Sequence, residues 1–224
     1  MPDALASAPL AALLGWALFL PALLLALRPL GGGFLPDARL QHAWLAGVVC
    51  VALAWQLQAR LAGGISVGLL GAPLYVLLFG FRHGLLGLAL ALVLHAAAGH
   101  GDWALLGLRG VFYAVLPALL TATMQAALAR WLPRNVFIFI IGNGTFVTFA
   151  AAALSMLAYL ALQAALDHPA VPGNAADWVA YTLLMAWSEA LLSGMLLSAL
   201  VIYRPHLVMT YRQDLYLPPR HARL

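Results

Sequence analysis

Long apolar segments separated by short polar stretches run through most of the chain, a pattern typical of a polytopic helical membrane protein. A spanning helix needs about 20 apolar residues, and no strand-like alternation competes with the helical pattern. The predicted spans are residues 5–27, 41–59, 65–81, 84–98, 105–129, 136–165 and 178–203. The third and fourth are short, and only Arg82 and His83 separate them. They form either a tight hairpin of two spans or a partly re-entrant pair.

The arginines predict the orientation of these spans. With the N-terminus outside and seven alternating spans, nine arginines fall on the inner side: Arg28, Arg39, Arg82, Arg130, Arg134, Arg204, Arg212, Arg220 and Arg223. Only Arg60 and Arg109 fall outside. This asymmetry follows the positive-inside rule. We therefore predict an all-α fold of about seven transmembrane helices, with the N-terminus out and the C-terminus in. Residues 1–203 form one transmembrane domain, and 204–224 form a short cytoplasmic tail.

Composition confirms the membrane class and narrows the chemistry. Hydrophobic residues make up 65% of the chain and charged residues 8%, against roughly 25% charged residues in soluble domains. All 11 basic residues are arginine, because lysine is absent. That absence excludes a P-loop and lysine Schiff-base chemistry. Because the arginines are scattered at segment ends rather than clustered, we expect contact with membrane lipid and no nucleic-acid partner.

No enzyme signature with its required context is present. Residues 64–68 match the G-x-S-x-G nucleophile pattern, but here the pattern opens a predicted membrane helix without an activating histidine and acid. Cys50 is the only cysteine and lies in an apolar run. We therefore predict a protein that is not an enzyme and holds no resident cofactor, a metal being at most its transported substrate.

The only glutamate, Glu189, lies near the middle of the last predicted span. A carboxylate at that depth costs several kcal/mol unless it is sheltered, paired or protonated. Thr182, Met185, Glu189 and Ser193 follow helical spacings of three and four residues, so they share one face. This face is either a substrate or coupling site or a hydrogen-bonded lock between two helices.

Asn143 lies between two glycines in the sixth predicted span. Such a sequence interrupts a helix and frees backbone carbonyls in some transporters; the alternative is a close helix crossing with one interhelical hydrogen bond. Because neighbouring antiparallel spans pack together, we expect Asn143 to hydrogen-bond to Glu189. In the transport interpretation, Asn143 and Glu189 are substrate or coupling candidates.

Seven histidines raise the question of a metal site. His95, His100 and Asp102 lie close together at the predicted outer face. They are the candidate metal ligands, and histidines placed at the membrane interface are the alternative. No pair of histidines is spaced four apart on one helix, and no cysteine lies nearby.

Three segments together resemble a known family. They are PRNVFIFIIGNGTF (133–146), WSEALLSGM (187–195) and the tail, which opens YRPHLV (203–208). Together they resemble a proteobacterial branch of the CbiM-like permeases, the substrate-capture components of energy-coupling factor ABC transporters. The segment ISVGLLGAP (65–73) is similar in position to the H-L-x-G segment of that group.

The resemblance implies a seven-helix membrane subunit that binds a transition metal, typically cobalt or nickel. Such a subunit works with a scaffold membrane subunit and two ATPase subunits. Two departures concern the metal ligands. Members that bind metal begin Met-His, whereas here position 2 is Pro2, which has no amide N–H. The ligand histidine of H-L-x-G is matched by Val67 or its neighbour.

The sequence thus predicts a transport component of the bacterial inner membrane, for a transition metal or other small cation, with the family's usual metal ligands lost. The alternative is a non-transporting accessory or assembly subunit of a larger membrane complex. A hydrated polar pocket around Glu189 and Asn143 favours transport, and a dry, packed bundle favours the accessory role.

Overall fold

The computed structural model describes residues 2–28, 35, 37–56, 59–60, 66–100, 103–165, 175–212 and 216. Its α-helices are α1 (Pro2–Leu27), α2 (Ala38–Ala54), α3 (Ala72–His95), α4 (Leu106–Gly110), α5 (Leu116–Trp131), α6 (Thr148–Ala165) and α7 (Ala175–Tyr203). Wider π-helical turns occupy Ala96–His100, Val111–Val115 and Ile138–Val147, and a 3-10 turn occupies Pro205–Leu207. Strands β1 (Ala59–Arg60) and β2 (Ser66–Val67) pair antiparallel, with Ala59 opposite Val67.

The predicted architecture of long apolar helices is confirmed, apart from the two short strands. Within the described residues, five helical runs are long and apolar enough to cross a membrane: Leu10–Leu27, Ala72–Gly99, Leu106–Trp131, Ile138–Ala165 and Ala176–Tyr203. Helix α2 is apolar but shorter, at 17 residues. The count of seven spans and their orientation stay predictions.

The third predicted span differs most from the structure. A helix over 65–81 is wrong in its first part, because residues 66–67 form β2 and the helix begins only at Ala72. It is interrupted at Gly80, whose φ of 75° and ψ of 172° are open almost only to glycine. The chain reverses there, since a Cβ on Gly84 would lie 3.0 Å from Cα of Val76. In an unbroken helix those residues are about 12 Å apart.

Residues 72–79, here called the half-helix, and residues 81–95 are therefore the two arms of a hairpin. The half-helix is about 12 Å long, which is too short to cross a hydrocarbon core of about 30 Å. The hairpin foreseen from the sequence is present, but its first arm is short. The segment 66–71, which is not helical, leads into it.

Helix α2 lies alongside the half-helix and fixes its lateral position. The hydroxyl of Tyr75 donates to the carbonyl of Trp44 at 2.9 Å, and the Trp44 indole donates to the carbonyl of His83 at 2.9 Å. Gly47 leaves room for the Tyr75 ring, because a Cβ there would lie 2.6 Å from it. The start of α2 therefore lies on the same side of the bundle as the turn at Gly80.

Small residues allow two further pairs of helices to approach closely, as is common in membranes. A Cβ on Gly15 of α1 would lie 2.3 Å from the backbone nitrogen of Leu108 in α4. A Cβ on Gly144 would lie 2.9 Å from Cα of Gly194 in α7. Most large side chains on the outer surface of α1 are exposed leucines, which suits contact with lipid hydrocarbon.

After α7 the chain turns back against the bundle. The amide of Met209 donates to the carbonyl of Leu78 at 2.7 Å, and the hydroxyl of Thr210 donates to the carbonyl of Leu77. The ring of Tyr211 packs on Phe139 with centroids 5.0 Å apart. We call this end of the bundle the tail side, because it carries both the tail and the turn at Gly80.

Candidate functional site

Glu189 lies midway along α7 and binds the backbone just before the half-helix. Its two carboxylate oxygens accept hydrogen bonds from the amides of Leu70 at 2.7 Å and Gly71 at 2.8 Å. The side chain is only 2% exposed. Both oxygens are thus used by backbone donors, and a carboxylate is the side chain best suited to accept two such bonds at once. The glutamate holds a loop in place.

The local backbone explains why a carboxylate is needed there. Gly71 is the N-cap of α3 and has a left-handed φ of 66°, which glycine adopts at little cost. The first turn of a helix leaves amide groups without internal partners and carries a partial positive charge. A glycine cap offers no side chain to help. Glu189 accepts from the cap amide of Gly71 and from the preceding amide of Leu70, and it places its charge at the favourable end of the dipole.

A second contact fixes the same loop from another side. The indole of Trp55, just after α2, donates to the carbonyl of Leu70 at 2.7 Å. The Trp55 ring is 2% exposed and meets the rings of Tyr113 and His95 edge to face, with centroids 5.6 and 6.2 Å apart. Residues 68–71 are here called the capping loop. The amides of Leu70 and Gly71 are bound to α7, and the carbonyl of Leu70 is bound to Trp55.

The other candidates on α7 lie on the face of Glu189. Thr182 and Ser193 are buried at 7% and 3% exposure, and Met185 is half-buried. The face predicted to look into the bundle does so. The carboxylate contacts favour the interpretation of this face as a hydrogen-bonded lock over direct binding of a substrate by Glu189.

Asn143 occupies a different place from the one predicted. Its side-chain oxygen is buried and has no hydrogen-bond partner, so the expected hydrogen bond from Glu189 to that oxygen is absent. Both carboxylate oxygens are already taken by the capping loop, a contact that pairing neighbouring spans does not reveal. Asn143 instead lines a small cleft on the tail side, with Arg134 and Tyr216 among its other lining residues.

The backbone around Asn143 is wound more widely rather than broken. Residues Ile138–Val147 are π-helical and continue directly into α6. The carbonyl of Asn143 accepts from both the backbone amide and the hydroxyl of Thr148, the latter at 3.1 Å. The helix interruption foreseen from the two glycines therefore takes the form of a π-helical segment, and Gly144 serves the close crossing with α7.

The candidate metal ligands at the opposite side are only partly described. His95 is 7% exposed and packs against Trp55. The side chain of His100 and all of Asp102 lie outside the described part of the chain. Among the residues that the structure does describe, no three His, Cys, Asp or Glu side chains form a group that would hold a metal ion. Metal binding by His95, His100 and Asp102 stays a prediction.

Two sets of contacts around the half-helix were not predicted from the sequence. The Trp55 contact joins residues 15 apart, and the contacts of Met209 and Thr210 with the half-helix join residues more than 130 apart. Neither has a motif. The signal that points to the second is the Gly80 break, because a helix that ends inside a bundle leaves carbonyls that need donors.

Comparisons with known proteins agree with this architecture. A solved structure described as "Crystal Structure of an Truncated Transition metal Transporter" superposes with a TM-score of 0.71 at 19% identity, covering 87% of this chain and 95% of that chain. At that identity the match shows a shared fold. No curated protein matches the chain significantly. The family model "CbiM: Cobalt uptake substrate-specific transmembrane region" matches residues 1–207, and the chain therefore belongs to the CbiM family.

Proposed function

We propose that this protein is the membrane-embedded substrate-binding component of an energy-coupling factor ABC transporter for a transition metal or other small cation. Membership of the CbiM family and the fold shared with a transition metal transporter support this proposal. In this role the chain captures its substrate within the membrane. A scaffold membrane subunit and two ATPase subunits supply the energy, in keeping with the absence of lysine and hence of a P-loop.

The observation that carries the proposal is the fixed capping loop. A glutamate at the middle of a membrane helix is costly, and here it is devoted to holding residues 70 and 71 at the start of a half-helix. Half-helices that begin inside the bilayer build substrate sites in other transporters. Glu189 is thus a positioning residue for the loop.

The usual metal ligands of the family are absent at Pro2 and at Val67 or its neighbour. We therefore expect no tight chelation of nickel or cobalt by the N-terminus, and other donors in the chain must supply the contacts to the substrate. Elemental analysis of the purified protein with and without residues 1–8 tests this expectation. Stoichiometric metal that is lost on truncation contradicts it.

We propose further that the chain crosses the bacterial inner membrane seven times, with the N-terminus out and residues 204–224 in the cytoplasm. The structure supports a two-sided charge distribution: Arg82 follows the turn on the tail side, Arg134 lines a cleft with Tyr216, and Arg109 follows Leu106 at the other end. A fluorescent reporter that matures only in the cytoplasm, fused to the C-terminus, should give signal. Normal expression without signal contradicts this orientation.

A second candidate function has a specific observation in its favour. Both oxygens of Glu189 are used within the protein, and among the described residues no group of metal-ligating side chains surrounds it. A non-transporting accessory subunit that packs against a partner membrane complex needs no substrate donors. Absence of cation transport by the chain would favour this accessory role.

Cellular uptake separates the two functions. Cells that contain the full set of partner subunits should accumulate cobalt or nickel with the wild-type chain and lose accumulation with Glu189→Leu. Ser188→Ala is the matched control, because that hydroxyl bonds only to the carbonyl of Leu184 in its own helix, at 3.0 Å. Equal accumulation with and without the chain, for either metal, contradicts transport of these metals and favours the accessory role.

A further inference from the structure

The half-helix is held by different parts of the chain at its two ends. Glu189 of α7 binds the amides that precede it. At its other end, the carbonyls of Leu77 and Leu78 accept from Thr210 and Met209 of the tail. Both contacts join residues more than 100 positions apart in the sequence.

A helix this short depends on such contacts. Each end of a helix leaves up to four backbone groups without an internal partner, and eight residues make few internal hydrogen bonds to compensate. Isolated helices of fewer than about 12 residues are marginal even with good helix formers. The break at Gly80 leaves the last carbonyls of the half-helix without donors from their own helix. The tail supplies the donors.

The tail is itself anchored, so it acts as a fixed support. Val208 is 1% exposed and belongs to an apolar cluster with Leu77 and Phe139. Tyr211 and Tyr216 stack with centroids 5.4 Å apart, and both rings pack on Phe139. A displacement of residues 208–211 would remove donors and apolar contacts from the half-helix together.

The half-helix is also stiff between its two ends. Pro73 restricts its first turn, and Tyr75, Val76 and Leu77 are at most 3% exposed. Gly87 and Trp44 enclose the Tyr75 ring, and the Tyr75 hydroxyl is bonded to the Trp44 carbonyl. An element that is laterally confined and internally hydrogen-bonded responds to the loss of one end as a unit.

We propose that the tail segment 208–211 positions the capping loop across the bundle, with Thr210 as the principal positioning residue. Release of the tail from Leu77 and Leu78 loosens the half-helix and with it the hydrogen bonds from Leu70 and Gly71 to Glu189. The physical link stands on the contacts above. The interpretation that this link lets the tail control substrate capture rests on the proposed function.

Hydrogen exchange of backbone amides in the full-length protein, in lipid nanodiscs without substrate, tests this link. Thr210→Val removes the hydroxyl and keeps the shape of the side chain. We expect exchange at Leu70 and Gly71 to rise about five- to thirtyfold, the range that a loss of one or two hydrogen bonds produces. Thr210→Ser keeps the hydroxyl and should restore protection.

Thr123→Val is the matched control, because the Thr123 hydroxyl bonds only to carbonyls of its own helix, at Leu119 and Leu120. It should leave exchange at Leu70 and Gly71 unchanged. Faster exchange confined to residues 205–211 in Thr210→Val overturns the proposal, and so does equal loosening in Thr123→Val.

If Thr210→Val does not fold, Tyr211→Ala serves instead, because it removes the ring contact with Phe139 and loosens the tail. Faster exchange at Leu70 and Gly71 supports the link, and faster exchange confined to residues 205–211 overturns it. The measurement uses no metal and no partner subunit. A failure of the link therefore appears as unchanged exchange, whereas a failure of the proposed function appears as absent uptake with the link intact.

Discussion

Replacement of Glu189 is the most informative perturbation of this protein, because one side chain satisfies two backbone donors inside the bundle. Glu189→Leu leaves the amides of Leu70 and Gly71 without acceptors. A buried donor left unsatisfied costs about 1–3 kcal/mol, so the leucine variant should lose about 2–6 kcal/mol of stability. Interhelical side-chain bonds in membranes average only about 0.6 kcal/mol, but those measurements concern groups that find other partners.

Glu189→Gln should fall between the wild type and leucine. The sequence alone suggests that glutamine, with the same shape and hydrogen-bonding capacity, preserves stability. The structure leads to a different expectation, because glutamine offers one carbonyl oxygen and one NH₂ group to a site with two donors. One N–H then faces another N–H. We expect a loss of about 1–3 kcal/mol.

Thermal unfolding in nanodiscs, followed by tryptophan fluorescence, measures both variants. At about 2–4 °C per kcal/mol for a chain of this length, Glu189→Gln should lower Tm by about 2–12 °C and Glu189→Leu by more. Ser188→Ala should leave Tm unchanged, since its hydroxyl bonds only within α7. A leucine variant as stable as the wild type would refute the capping argument. A glutamine variant that keeps full stability and loses uptake would instead assign Glu189 a direct role with substrate.

Three further substitutions or conditions test the surrounding geometry. Gly80→Ala has open space for the methyl group but requires a backbone conformation that alanine avoids, so it should cost about 1–3 kcal/mol in an unfolding assay; an unchanged Tm contradicts the break. Trp55→Phe leaves the buried carbonyl of Leu70 without its indole donor and should cost about 1–3 kcal/mol, with faster exchange in residues 68–71 as the specific sign. Burial raises the pKa of Tyr211 and of Tyr216, the latter offset in part by Arg134. The neutral rings are therefore favoured in the docked tail. Its stability is complete below the ordinary tyrosine pKa of about 10 and falls as pH rises through the raised values, so proteolysis of the tail should accelerate there. A tail equally resistant at all pH values contradicts the stacked arrangement.

The sequence predicts the helical membrane class well, because apolar length is a local property. The runs Leu106–Trp131 and Ile138–Ala165 lie where hydropathy places them. Gly80 and Arg82 also mark the chain reversal in α3. The sequence does not predict the capped half-helix, because hydropathy over 65–81 cannot distinguish a helix from a strand and loop that cross the same apolar environment.

The candidate site was likewise predicted only in part from the sequence. A lone glutamate at mid-helix identifies a position under strong physical constraint, and Glu189 is the residue that fixes the capping loop. Its partner was misassigned to Asn143, because a rule about neighbouring helices predicts proximity but not which backbone amides are free. Those amides are free because of Gly71 and the short helix after it, and that fact appears only when the fold brings residue 189 to residue 70.

The central claim, that this chain captures a cation as part of an energy-coupled transporter, is tested most directly by what it binds in its own membrane. Full-length protein should be purified under mild conditions from native membranes, and the proteins bound to it quantified by mass spectrometry. The account predicts one scaffold membrane subunit and two ATPase subunits for each chain. Purification of the intact, folded chain without any ATPase, or within a complex that contains none, would contradict it.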